Sequence, residues 1–438
     1  MRILLTIIGV LGVLAVAGHA LWAGGSARLY VVNALSETLS VIELGTDELA
    51  GQIALGERGY DIALLPGGNQ ALVTIVPDPL KTQDELVSPH LALVDLDKRQ
   101  VSRQIGPLPL SPLASVHVHP TGKQAFVVTA APPGERNDRR GQLLVVDLAT
   151  GKVGKSVPLG LNPLDSAMTP DGARLFTADW GSRALSVVDL TTGRLQDSLP
   201  LGQYAARTLA MRADGKTAYA VLERAVVATT MNSAPSTYQN MAQTNIAPAE
   251  EATLLAEIAV ASHKLTRHPL PGLSPVCALT PSPDGRLLYI YGRRTPAGSV
   301  GRQPAGDGYV LLCYDLKTHA VVRSLGDFGF LTRIVVSPNG EKLYLIGTPG
   351  DPAREAIVQQ NYVKRSQGTP NMAGPAGPSG SAPANTPSAS ARQSPQITET
   401  LEDLRRLEKT VTILDAHSGR RLKTLTVGSL PQGAAVRK

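Results

Sequence analysis

Cysteine is nearly absent: Cys277 and Cys313 are the only two in 438 residues. Two thiols build no disulfide framework, no C-x-x-C-H haem attachment and no cysteine-based zinc site. Neither lies just after the apolar start of the chain, so there is no thiol there to accept a lipid. Aromatic residues make up only 4%, too few to supply the stacking platforms of a nucleic-acid groove. Charge of one sign is lacking as well. Forty-two basic residues against 36 acidic leave +6, scattered in pairs such as Arg139-Arg140, Arg293-Arg294 and Arg405-Arg406. A nucleic-acid partner needs a clustered basic footprint, and none is present. There is no G-x-S-x-G elbow, Walker loop or Rossmann fingerprint, so serine-hydrolase, phosphate-loop and dinucleotide chemistry have no motif, and no cofactor is expected.

Long apolar runs are missing too, except at the very start. Residues 3–23 are uncharged, follow the single early Arg2, and close on Gly18-His19-Ala20, a small-x-small cleavage pattern. That reads as a secretory signal over residues 1–23. The same run is just long enough to span a bilayer, so an uncleaved anchor is the competing reading. Either way the remainder is expected to be exported, periplasmic or extracellular, with membrane contact only through this segment.

What the chain has in abundance is a repeat. Residues 164–202 hold four short apolar, β-rich runs separated by turns, with Gly172 and Gly193 supplying the left-handed positions of two hairpins. That is a four-stranded antiparallel meander of about 40 residues, the size of one propeller blade. Seven copies can be laid out. Their second strands contain Leu29-Tyr30-Val31, Ala71-Leu72-Val73, Ala125-Phe126-Val127, Leu175-Phe176-Thr177, Ala218-Tyr219-Ala220, Leu288-Tyr289-Ile290 and Leu343-Tyr344-Leu345. Six of these follow a tight-turn signature such as Pro170-Asp171-Gly172 or Pro338-Asn339-Gly340. Third strands read as ending in an acid in every copy: Glu43, Asp95, Asp147, Asp189, Glu257, Asp315 and Asp415. Repetition at one position marks these as turn-capping carboxylates rather than a catalytic or calcium set. The fifth copy departs most, with a Glu and no glycine at its second hairpin.

This turn-and-strand pattern resembles the YVTN family of β-propeller repeats over residues 27–438. The resemblance implies a fold and no shared activity. Quinone-dependent propellers carry tryptophan-rich repeats, whereas this chain has only Trp22 and Trp180. The expected architecture is all-β: a single, monomeric seven-bladed propeller. The C-terminal run 432–436 matches a first strand and residues 28–33 match a second strand. One blade is therefore expected to be built from both chain ends, which closes the ring and removes open edges.

Five insertions, 77–89, 130–141, 223–253, 293–307 and 348–409, all fall between second and third strands and so emerge on one face. The last is expected to contain two short helices flanking a disordered Pro/Ser/Gly-rich core, 368–396. Long loops on a rigid scaffold usually carry function. Aligning first strands from their turns places Asp61, Ser115, Asp165, Thr208, Ala278, Arg333 and Gly433 in one register near the channel mouth. Two acids, two hydroxyls and an arginine converging there suit a polar ligand, or simply hydrate the channel. Arg58, Tyr60, Asn162, Tyr204 and Arg207 are adjacent candidates. His117 and His119 share a strand face, but no third metal ligand is evident, so no metal site is assigned. The function expected is a binding or scaffold protein for a protein, peptide or polymer partner. The alternative is a hydrolase resembling propeller lactonases, with a polar or metal site at the channel mouth.

Overall fold

The computed structural model describes residues 27–77, 88–109, 113–129, 140–224, 253–294, 308–326, 328–348, 409–429 and 431–437. The expected signal or anchor, the two helices of the last insertion and its disordered core lie outside these residues. Seven four-stranded antiparallel sheets form a ring, a seven-bladed β-propeller. The inner strands of blades 1 to 7 are Pro431–Arg437, Gly59–Leu64, Leu113–Val118, Pro163–Met168, Tyr204–Met211, Leu273–Pro281 and Phe330–Val336. Blade 1 closes the ring as expected: Arg28–Asn33 pairs antiparallel with Pro431–Arg437, with Leu29 opposite Val436.

Alternation explains how each blade is held. Second strands are buried on both faces, so successive residues point into different seams. Leu29 and Val31 pack between blades 7 and 1, whereas Tyr30 and Val32 pack between blades 1 and 2. The core is accordingly divided into seven apolar clusters, one at each seam. Outer strands such as Gln100–Ile105 and Arg194–Pro200 face water and read as mostly polar.

The outer hairpins place a left-handed residue at one equivalent position: Asp47, Arg99, Gly151, Gly193, His263, His319 and Gly419. Four of these are not glycine, and a side chain there costs about 1 kcal/mol or more. Each is held by the preceding or following blade. Asp47 accepts from Lys342 Nζ (2.7 Å), Arg99 donates to Ala50 O (3.2 Å), His263 meets Asp197 (3.0 Å) and His319 stacks on His268. The fifth outer hairpin therefore forms without its glycine.

One sequence expectation needs correction. The acid slot lies four residues before the left-handed residue, as the amide contacts from Asp47 to Glu43 and from Gly151 to Asp147 show. In blade 5 His263 N–H reaches Ala259, so the slot holds Ala259 and Glu257 sits two residues further into the strand. The five aspartates cap their turns as expected, with Asp147 Oδ1 accepting from Thr150 N (2.7 Å) and Asp415 Oδ1 from Ser418 N (2.6 Å), whereas Glu43 pairs with Arg28. Cys277 and Cys313 are both free thiols, on strands separated by Leu287–Arg294.

Candidate functional site

A cavity of about 440 Å³ lies on the propeller axis, walled by the inner strands. Every inner strand is bulged at this level, with one extra residue over its partner in six blades and two in blade 6. Bulges re-aim a side chain locally, and here they sit at or beside the predicted ring. Asp61, Ser115, Asp165, Thr208, Ala278 and Arg333 all line the cavity. Gly433 occupies the seventh place, where a Cβ would come within 2.8 Å of Asp61 Cα and 3.0 Å of its Oδ1. Its lack of a side chain leaves room for Arg333 of blade 7 to reach past blade 1 to Asp61 (3.6 Å).

The two acids have structural duties as well. Asp61 Oδ2 accepts the Val116 amide of the next blade (3.0 Å), and Asp165 Oδ2 accepts that of Leu209 (2.9 Å). The Asp61 amide, pushed out of the ladder by the bulge, donates to Thr74 Oγ1 (2.8 Å). Burial raises the pKa of Asp165, against the opposing effect of Arg333 and of the Leu209 and Ser166 amides. Burial also works to lower that of Arg333, but Asp61, Asp165 and Tyr60 outweigh it and hold the guanidinium above its ordinary value.

Among the other lining residues, Ser166 and His117 bring polar groups to the cavity. Ser166 Oγ hydrogen-bonds His117 Nε2 (2.7 Å) and also Ser115 Oγ, linking the inner strands of the neighbouring blades 3 and 4. Burial, opposed by Asp61 and assisted by Arg333, pushes the His117 imidazole down to about 4, so it is neutral at physiological pH. His119 turns instead to Thr121 (2.7 Å), so the two histidines do not converge. No local signal marks Ser166, because its partners come from another blade. The Thr208 hydroxyl is buried without a hydrogen-bond partner among the described residues. Burial pushes the Cys277 thiol up to about 12, which leaves no thiolate for nucleophilic chemistry.

The adjacent candidates lie apart from this cavity. Arg58 is buried and donates to Pro77 O (3.4 Å). Tyr60 and Tyr204 pack into the seams of blades 2 with 3 and 4 with 5. Asn162 is left-handed (φ 52°) and its carbonyl accepts the Trp180 amide (3.2 Å). Arg207 is buried over the Trp180 ring (4.4 Å) and faces Glu223 (3.5 Å). Glu223 in turn accepts from Ser274 Oγ (2.8 Å) and the Val276 amide (3.1 Å), a third carboxylate stitch between neighbouring blades.

No family model matches the chain. No curated protein matches it either. Among solved structures, a chain of Kuenenia stuttgartiensis hydrazine synthase superposes with a TM-score of 0.52 at 18% identity, covering 73% of this chain and 88% of that one. In all, 1623 solved chains match, a breadth that separates architecture from activity. At this identity the likeness is one of fold alone: the chain is a seven-bladed β-propeller similar in architecture to that structure.

Proposed function

We propose that this chain is an exported binding or scaffold protein, a monomeric propeller acting in the periplasm or outside the cell. Its partner is a protein, peptide or polymer engaged on the face that holds the mouth of the polar channel. The supporting observation is one-sidedness. The five longest connections, 76–89, 130–139, 225–252, 295–308 and 349–408, each leave a second strand and return to a third, on one face. The hairpins of the opposite face are short turns carrying the same blades. Folding needs no such asymmetry, and long connections on a rigid scaffold are where recognition residues concentrate. Export rests on the apolar opening segment. Kinship with the YVTN repeats rests on the agreement of turn and second strand across the copies.

The test is binding to a partner isolated from envelope extract on the immobilised protein. Arg333→Ala is compared with Lys216→Glu and Lys317→Glu, two exposed lysines of the short-turn face. Arg333 is chosen because Asp61 and Asp165 also join blades. Weaker binding in Arg333→Ala alone is expected. Loss confined to the lysine variants would place the partner on the other face and refute the proposal.

One observation favours a second reading, a hydrolase resembling propeller lactonases: the Ser166–His117 hydrogen bond inside the cavity. Against it, an imidazole held near 4 is a poor general base at neutral pH. The Ser166 hydroxyl is also shared with Ser115. Turnover of a lactone and ester panel that Ser166→Ala abolishes would favour this reading over the first.

A further inference from the structure

Blade 5 differs from its neighbours at the place where the acid slot holds Ala259. Asp95, Asp147, Asp189, Asp315 and Asp415 each accept an amide of their own turn, and Glu43 pairs with Arg28 (2.6 Å). Glu257, two residues back, keeps the same strand face but faces two imidazoles instead. His268 is its diagonal neighbour across the outer strand pair, since Glu257 opposes Thr266 and His268 opposes Leu255. His319 arrives from blade 6, at the left-handed position of its outer hairpin.

Glu257 Oε1 lies 3.6 Å from His319 Nδ1 and 3.9 Å from His268 Nε2. All three ligating atoms fall within 4.8 Å of one another. The two imidazoles stack with centroids 3.8 Å apart and planes 5° from parallel. Among the described residues His268 Nε2 is shielded from water and has no hydrogen-bond partner, and the neighbouring Tyr314 hydroxyl is also buried and unpaired. Buried polar atoms are rarely left so.

We propose that Glu257, His268 and His319 bind one divalent late first-row metal ion, with zinc the reference, clasping blades 5 and 6 on the face away from the long connections. Two imidazole nitrogens and one carboxylate suit zinc and its neighbours, whereas calcium and magnesium take all-oxygen sets. Atoms bound to one tetrahedral zinc at about 2.0–2.1 Å stand about 3.4 Å apart, so the separations of 3.6 and 3.9 Å need to close by only a few tenths. Loading requires one movement. A ring nitrogen's lone pair lies in the ring plane, so two parallel rings cannot both aim at one ion. His319 is the group free to turn, because its side chain is 38% exposed at the tip of a hairpin. Rotation exchanges the stack for a metal bond and leaves the fourth position to water.

The test uses the full chain, purified without a histidine tag and stripped with a chelator. Zn²⁺ is titrated by calorimetry and Co²⁺ by visible absorption. One ion per chain is expected, with the Co²⁺ bands of a four- or five-coordinate site. His268→Ala, His319→Ala and Glu257→Gln should each weaken Zn²⁺ by roughly tenfold or more. His263→Ala changes the equivalent hairpin residue of blade 5, which pairs with Asp197 rather than joining the trio, and should leave affinity unchanged. His319 is at the surface, so circular dichroism of that variant should match the parent and separate lost binding from lost folding. No Zn²⁺ binding at about 100 µM free metal, or binding undiminished in both histidine variants, overturns the site and leaves the trio a purely structural contact. The site lies on the short-turn face, so either outcome is independent of the partner proposed for the opposite face.

Discussion

Arg207 and Glu223 offer the sharpest test of how buried charges between neighbouring blades are used. Both side chains are nearly inaccessible, at 5% and 3%, with 3.5 Å between Nε and Oε1. Coulomb attraction at that distance is about 5 kcal/mol for an effective dielectric near 20. Two nitrogens of Arg207 have no hydrogen bond among the described residues, so the guanidinium depends on Glu223 and the Trp180 face. Glu223→Gln keeps the shape but strands a buried cation, and Arg207→Met keeps the volume but strands a buried anion. Breaking a buried pair from one side costs about 3–5 kcal/mol. The double variant leaves no stranded charge, so its loss should fall well short of the sum, with a coupling of about 3 kcal/mol. Urea unfolding followed by circular dichroism of the parent, both singles and the double measures the cycle. Single losses that add to within about 0.5 kcal/mol would show that the two charges do not depend on each other. Arg207 would then be free to serve a ligand, as the sequence first suggested.

Asp179 should make stability depend on pH in the unusual direction. Burial raises its pKa from 3.8 to about 6 despite hydrogen bonds from Ser186, Thr177 and Gly160. The folded state therefore keeps a proton that the unfolded chain has lost, and stability should fall by about 3 kcal/mol as pH rises from 4 to above 6. Comparing urea midpoints of parent and Asp179→Asn across that range isolates the effect, and parallel curves would refute it. Removing residues 431–438 should expose the edge of Arg28–Asn33 and promote association; a truncated chain that stays monomeric with unchanged cooperative unfolding would contradict closure. Gly433→Ala should push Asp61 away from Arg333 at a cost of about 1–3 kcal/mol, checked by unfolding and by the shift of the Asp61 carboxylate in a crystal structure. Cys277 and Cys313 should resist a thiol reagent at pH 8 in the native protein and both react once it is unfolded, because burial holds both thiols protonated.

What the sequence determined by itself is everything written within one repeat. Alternation in Leu29-Tyr30-Val31 and its six counterparts, with turns such as Pro170-Asp171-Gly172, specifies strands and hairpins through contacts a few residues apart. Blade count and ring closure then follow from the order of the pieces. The tertiary structure decided what depends on neighbouring blades. A bulge beside Asp61 or Arg333 leaves no local mark, since it is defined by pairing with another strand. His263 and His319 occupy turn positions that suit glycine because contacts across a seam offset the strain. The Ser166–His117 bond joins residues 49 apart, and the Glu257 trio spans two blades. An acid near a strand end looks alike in either register, so the sequence alone does not show that Glu257 stands two residues from the acid slot. The His263–Ala259 amide contact and the pairing of Thr217 with Ala259 distinguish them, and with them a carboxylate that caps a turn from one that faces two imidazoles.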